Sequence, residues 1–125
     1  MNGKLNLVVR ILLGLMLVIL GLNKFLQFMP MPPMPDAAGE FMGALVKSGY
    51  LMVVVALVEI GTGLLLLVNK YQALALVLVF PVLLNAFLFH IFLNPSGIMF
   101  AALAIVMNVY LMLSNKAAYE GMLQP

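Results

Sequence analysis

The chain contains no cysteine, and this absence excludes disulfides, thiolate metal sites and dithiol redox chemistry carried by the chain itself. Charge is also scarce, since Asp, Glu, Lys and Arg make up only 8% of the 125 residues. The six basic residues are scattered singly and form no stripe with interleaved aromatics, so nucleic acid is excluded as a partner.

The residues that common hydrolases need are too few here. His90 is the only histidine and Glu59 is the only acid inside an apolar run, so a Ser-His-Asp set cannot be assembled. The "GTG" at residues 61–63 lies within an apolar run, which favours helix packing over a phosphate-binding loop. We therefore predict that the chain has no intrinsic cofactor and that none of the candidate site residues is a metal ligand.

Apolar sequence is what the chain has in abundance. Hydrophobic residues make up 66% of it and the mean hydropathy is +1.20, which a domain that covers a core and also faces water cannot sustain. Four apolar runs have about the 20 residues that cross a hydrocarbon layer of about 30 Å. They cover residues 5–28, 50–68, 71–93 and 97–113. The predicted fold is all-α, a single integral membrane domain over 1–125 with an up-down bundle of four helices.

The segments between the runs predict the connections. The first run is too long for a signal-peptide core and no small-residue cleavage site follows it, so we expect a retained helix. The outer loop, residues 29–49, begins with an extended Pro-Met segment and continues as a short amphipathic helix on the membrane surface. We expect Asp36 to cap this helix and Gly49 to end it.

Basic residues near the ends of the runs predict the orientation. One side of the membrane receives four of them: Lys4, Arg10, Lys70 and Lys116. The other side receives two basic and two acidic residues: Lys24, Lys47, Asp36 and Glu40. Because basic residues concentrate on the cytoplasmic side, we expect both termini to be cytoplasmic and the Pro-Met loop to lie outside.

Charged groups inside a span cost roughly 2.5 to 3.5 kcal/mol at the bilayer centre, so we expect them to be paired or turned inward. Glu59 is the clearest case. Small and polar residues share one face of the first run: Asn6, Arg10, Gly14, Gly21 and Lys24. This face predicts close helix packing with a cation at each end. Lys24 can bend toward Glu59 or snorkel outward, and Arg10 can reach a lipid phosphate or merely snorkel.

The third and fourth runs each carry polar residues. Asn85 is predicted to lie level with Glu59, whereas His90 lies in the last turn, nearer water and about 140° around the helix from Asn85. We therefore expect the two side chains to face apart. Small residues share a face of the fourth run with two asparagines: Gly97, Ala101, Ala104, Asn108 and Asn115. Asn108 is expected to hydrogen-bond a neighbouring helix, and it is also a candidate ligand-binding residue.

Three segments, "RILLGLMLVILGLNKF", "VEIGTGLLLL" and "NAFLFHIF", together resemble the DoxX family of small four-helix bacterial membrane proteins. The resemblance runs from Arg10 to His90 and carries over Arg10, Lys24, Glu59 and His90 as functional positions. It implies the bacterial cytoplasmic (inner) membrane and a subunit of a membrane oxidoreductase, in systems linked to quinone-coupled thiosulfate oxidation or to thiol and oxidant defence. It also implies a protein partner or a homo-oligomer.

Three functional hypotheses follow. In the first, a polar intramembrane cavity binds a quinone or similar lipophile, with Glu59 and His90 as catalytic proton-exchange groups. Lys24 and Asn85 are expected to line the same cavity, with Asn85 holding a quinone carbonyl, so these four polar residues form one cluster. Arg10 and Asn108 are further ligand-binding candidates. The second hypothesis is a non-catalytic membrane scaffold or lipophile-binding protein. The third is Cu(I) handling by thioethers of the outer loop, Met29, Met31, Met34 and Met42.

Overall fold

A computed structural model describes residues 3–29 and 33–125, which are almost entirely helical and form no strand. The five α-helices are α1 (Gly3–Leu26), α2 (Asp36–Lys47), α3 (Leu51–Val68), α4 (Gln72–Phe92) and α5 (Ile98–Ser114). All but α2 are long and apolar enough to cross a membrane. The last of these spans combines α5 with the 3₁₀ turn that precedes it. The predicted all-α membrane bundle is confirmed.

The four spanning helices close into a ring in which α1 and α4 each pack against both α3 and α5. The core between them is built of aliphatic side chains and one methionine: Leu13, Leu17, Leu66, Leu76, Val79, Leu83, Ala104, Met107 and Leu111. The outward faces of the same helices are also apolar, with many exposed Leu, Val and Ile side chains. A bilayer supplies the apolar surroundings that these faces require, while the helices satisfy their own backbone hydrogen bonds.

Glycines bring α1 and α3 into close contact. A methyl group placed on Gly63 would lie 2.6 Å from Cγ2 of Val18 and 2.7 Å from the carbonyl oxygen of Gly14. One placed on Gly21 would lie 2.6 Å from Cγ1 of Ile60. Such distances are well below van der Waals contact, so only glycine permits this crossing. The packing face predicted for the first helix is confirmed.

Two helix boundaries differ from the expected ones for local reasons. The first helix ends at Leu26 rather than at residue 28, because Gln27 takes a left-handed conformation with φ of 50°. Asp36 does not cap α2: it is the first helical residue, Pro35 occupies the cap position, and no side-chain cap bond forms. There the carboxylate still opposes the positive end of the helix dipole. Gly49, with φ of 82°, lies just beyond the helix end at Lys47.

At one end of the bundle the start of α1, the turn between α3 and α4 and the end of α5 come together, and we call this the inner end. The hydroxyl of Tyr110 donates to Oδ1 of Asn6 at 2.6 Å, linking α5 to α1. Beyond α5 a 3₁₀ segment, Lys116–Leu123, folds back so that the hydroxyl of Tyr119 donates to the carbonyl of Ala73 at 2.9 Å. Burial raises the pKa of the Tyr119 phenol, which keeps it a donor.

Candidate functional site

An ion pair joins α1 to α3 inside the bundle. Nζ of Lys24 lies 2.6 Å from Oε1 of Glu59, whose side chain is almost completely buried. Gly21 lies one turn before Lys24 and seats α1 against the carbonyl of Ala56 and the backbone of Ile60, which brings the lysine beside the acid. The sequence left two alternatives for Lys24, bending toward Glu59 or snorkelling outward, and the structure shows the first.

The ion pair lies on the wall of a cavity of about 470 Å³, which we call the outer cavity. Asn85 and His90 line the same cavity, so the four polar residues proposed as one cluster come together. The remaining walls are mostly apolar and come from all five helices, including Met16, Leu20, Phe41, Leu45, Met52, Val55, Val82, Leu83, Phe89 and Phe100. Apolar walls with a few convergent polar groups, in this volume range, are typical of small-molecule sites.

Asn85 and His90 point in different directions from α4, yet both line the outer cavity. The cavity borders a whole face of α4, on which Val82, Ala86 and Phe89 also lie. Asn85 lies at one edge of that face and His90 toward the other, so both reach the cavity although their directions differ. A helical wheel gives the angle between two side chains, but the width of the space beside the helix depends on its neighbours.

The turn after α4 fixes the imidazole of His90. Its Nδ1 lies 2.9 Å from the carbonyl oxygen of Asn94, and a side chain on Gly97 would collide with the ring. Because a carbonyl oxygen only accepts, Nδ1 carries the proton of this bond, and in the neutral ring Nε2 is then an acceptor. His90 thus combines a fixed orientation with one nitrogen that can take up a proton.

Arg10 and Asn108 do not border the outer cavity. Asn108 is fully buried between α4 and α5, where Nδ2 donates to the carbonyl of Leu76 at 3.2 Å. This is the interhelical bond expected from the sequence. The guanidinium of Arg10 lies at the inner end and donates through Nη1 to the carbonyls of Leu66 and Leu67. These contacts place a cation at the C-terminal end of α3, where the helix dipole favours it.

The surface helix α2 contributes more than the sequence indicates. Its apolar face, with Phe41, Met42 and Leu45, lines the outer cavity instead of facing only lipid. The ring of Phe41 stacks on Phe89 of α4 with centroids 5.7 Å apart. The amphipathic pattern of α2 predicts that these side chains face an apolar environment. Whether lipid or the outer cavity provides that environment depends on how the segment between α1 and α3 folds.

A second space of about 910 Å³ lies between the end of α1, α2 and the start of α3, and we call it the entrance cavity. Met29, Met34 and Met42 line it together with Met52, which the copper hypothesis did not include. Met31 lies outside the described residues. Within 3–29 and 33–125, no group of three or more His, Cys, Asp or Glu could hold a metal.

Comparison with protein families identifies the family of the chain. The family model for DoxX matches residues 5–91, which include α2, α3, nearly all of α1 and α4, and all four polar residues of the outer cavity. No curated protein and no solved structure matched the chain. The match covers well over half of the sequence and agrees with the four spanning helices. The chain is therefore a multi-pass membrane protein that belongs to the DoxX family.

Proposed function

We propose that this protein is the membrane subunit of an oxidoreductase system and that its outer cavity binds a quinone or a similar lipophile. The observation that carries this proposal is the ion pair of Lys24 and Glu59 on the wall of a mostly apolar cavity. The ring and tail of a quinone need apolar walls, and its carbonyl oxygens need donors. The ammonium of Lys24 and the amide of Asn85 are donors on that wall.

The polar residues suit proton-coupled reduction. A quinone carbonyl that accepts electrons develops negative charge, which Lys24 stabilises, and becomes a hydroxyl when it takes up protons. Glu59 and His90 are the ionisable groups at the cavity wall that can exchange protons with the quinone. The Glu59 carboxylate of the ion pair and Nε2 of neutral His90 are both acceptors, so each first takes up a proton from water and then passes it to the quinone. The electrons come from a partner subunit that carries a redox group, because this chain has no cysteine and no cofactor motif.

The orientation that fits this role places the inner end of the bundle in the cytoplasm of a bacterial cell, in the inner membrane. Support comes from three basic residues at the inner end: Lys4 lies in the first turn of α1, Lys70 follows the end of α3, and Lys116 follows the end of α5. The outer cavity then opens in the outer half of the bilayer, and His90 lines it from the last turn of α4.

The test is ligand binding to the full chain in lipid nanodiscs, using a photoreactive ubiquinone analogue. Ala86→Phe fills the outer cavity, whereas Ala118→Phe adds the same ring at an exposed position on the 3₁₀ segment. We expect crosslinking to fall at least about tenfold with Ala86→Phe and to persist with Ala118→Phe. Equal crosslinking in the two variants would exclude the outer cavity as the binding site.

The non-catalytic scaffold has support from the same ion pair, which fixes α1 against α3. Glu59→Gln distinguishes the two roles, with the exposed acid of Glu120→Gln as control. If quinone reduction by membranes that contain the partner subunit falls while crosslinking is retained, Glu59 acts on protons. If only the melting temperature in detergent falls, the residue has a structural role.

Cu(I) binding is a second candidate, favoured by the four methionines that share the entrance cavity. Thioethers are soft ligands that suit Cu(I). Titration with Cu(I) under a reducing buffer tests it, comparing Met34→Leu with Met99→Leu, an exposed methionine on α5. Loss of affinity in the first variant alone is expected if the entrance cavity binds the metal.

A further inference from the structure

The inner end contains a cavity that the proposed function does not use. It has a volume of about 300 Å³ and lies between the start of α1, the turn from α3 to α4 and the end of α5. Arg10 lines it, and around Arg10 are the amide side chains of Asn6, Asn69, Gln72 and Asn115. By the helical rise, Arg10 is about 21 Å along α1 from Lys24, so this inner cavity is separate from the outer one.

The charge of the inner cavity has one sign. Arg10 is the charged residue among its described lining residues, and none of the four carboxylates of the chain lines it there. Two exposed lysines adjoin the lining in sequence: Lys70 follows Asn69, and Lys116 follows Asn115. A cation, amide donors and further positive charge nearby select for an anion.

The guanidinium of Arg10 is held in place before any ligand arrives. Its Nη1 makes both contacts with the carbonyls of Leu66 and Leu67, and the residue is half-buried. A guanidinium has further N–H donors in a rigid fork, which match the oxygens of a phosphate. Oδ1 of Asn6 already accepts hydrogen bonds from Tyr110 and Ser114, so the amide nitrogen is the end of Asn6 that remains for a ligand oxygen.

We propose that the inner cavity binds a phosphate group through Arg10 and the surrounding amides. The group can be carried by an anionic phospholipid or by a soluble phosphate ester. The position at the ends of four spanning helices is the depth at which lipid phosphates lie. In the orientation proposed above, this end faces the cytoplasmic leaflet, where anionic headgroups are abundant. This site does not depend on the lipophile proposed for the outer cavity.

The decisive variant is Gln72→Glu, which places a negative charge in the inner cavity without removing the guanidinium of Arg10. Gln72 is the first residue of α4, where the helix dipole favours a carboxylate, so this variant is expected to fold. Gln27→Glu is the matched control, since it makes the same change in the entrance cavity. Arg10→Gln is a weaker test because it also removes the donor to the end of α3.

The experiment measures lipid binding by native mass spectrometry of the full chain in neutral detergent. The probes are phosphatidylglycerol and a diacylglycerol with the same acyl chains, which differ by the phosphoglycerol headgroup. We expect phosphatidylglycerol to bind at least about tenfold more tightly, and Gln72→Glu to remove most of that preference while Gln27→Glu retains it. Circular dichroism checks that both variants are folded.

Inorganic phosphate and glycerol 3-phosphate distinguish the two sources of the group. If either soluble anion displaces phosphatidylglycerol at millimolar concentration, the site recognises the phosphate itself. If neither does while Gln72→Glu still weakens binding, the site is specific for a lipid headgroup. Equal affinity for the two lipids, or equal loss with Gln72→Glu and Gln27→Glu, would overturn the proposal.

Discussion

Replacing Lys24 with methionine should destabilise the bundle strongly, because the change leaves Glu59 buried without its cation. At an effective dielectric of about 20, unit charges 2.6 Å apart attract each other by roughly 6 kcal/mol, and desolvation of the two groups offsets most of this. Breaking a buried pair by removing one partner costs about 3 to 5 kcal/mol. We expect about 3 kcal/mol for Lys24→Met, near the lower limit, because Glu59 borders a cavity and can take up a proton.

A double-mutant cycle measures this interaction directly. The free energy of unfolding is followed by circular dichroism in mixed micelles as the fraction of denaturing detergent rises, for Lys24→Met, Glu59→Gln and the double variant. The double variant should be less destabilised than the sum of the single ones by about 2 kcal/mol. Lys47→Met, which removes an exposed lysine from the end of α2, should change stability by less than about 0.5 kcal/mol. A coupling energy below about 0.5 kcal/mol would refute the stabilising role of the pair.

Three further predictions concern helix contacts. Gly63→Ala should cost about 1 to 3 kcal/mol by overpacking against α1, whereas Gly61→Ala, with open space beside it, should change the same unfolding curve little. Gly97→Ala should displace the imidazole of His90 and weaken crosslinking of the quinone analogue several-fold without lowering the helix content; unchanged crosslinking would contradict a role for the ring at the cavity wall. Asn108→Leu should lower stability by about 1 kcal/mol and leave crosslinking intact, since its bond joins helices away from the outer cavity.

The spans follow from the sequence alone because their causes are local. A run of about 20 apolar residues in a bilayer must satisfy its backbone within itself, so its helical structure needs no information from neighbours. The cost of a charge in hydrocarbon likewise turns Glu59 inward. The glycines on the face of Lys24 predicted where a second helix would approach, and α3 approaches there.

Helix ends were less predictable. Gln27 adopts a left-handed conformation that its residue type does not demand, and Pro35 rather than Asp36 occupies the cap position of α2. The stability of such local conformations depends on where the following segment packs, which short-range sequence does not specify.

The grouping of the polar residues required the tertiary structure. Sequence periodicity assigned each of them a direction on its own helix, which made Glu59 a candidate partner for Lys24 with outward snorkelling as the alternative, and the structure shows the pair. The order of helices in the ring and the rotation of each helix determined that Asn85 and His90 share the outer cavity, and that Arg10 lies in a separate one at the inner end. An angle on one helix becomes a position in a site only when the neighbouring helices define the space beside it, and that space depends on contacts between residues far apart in the chain.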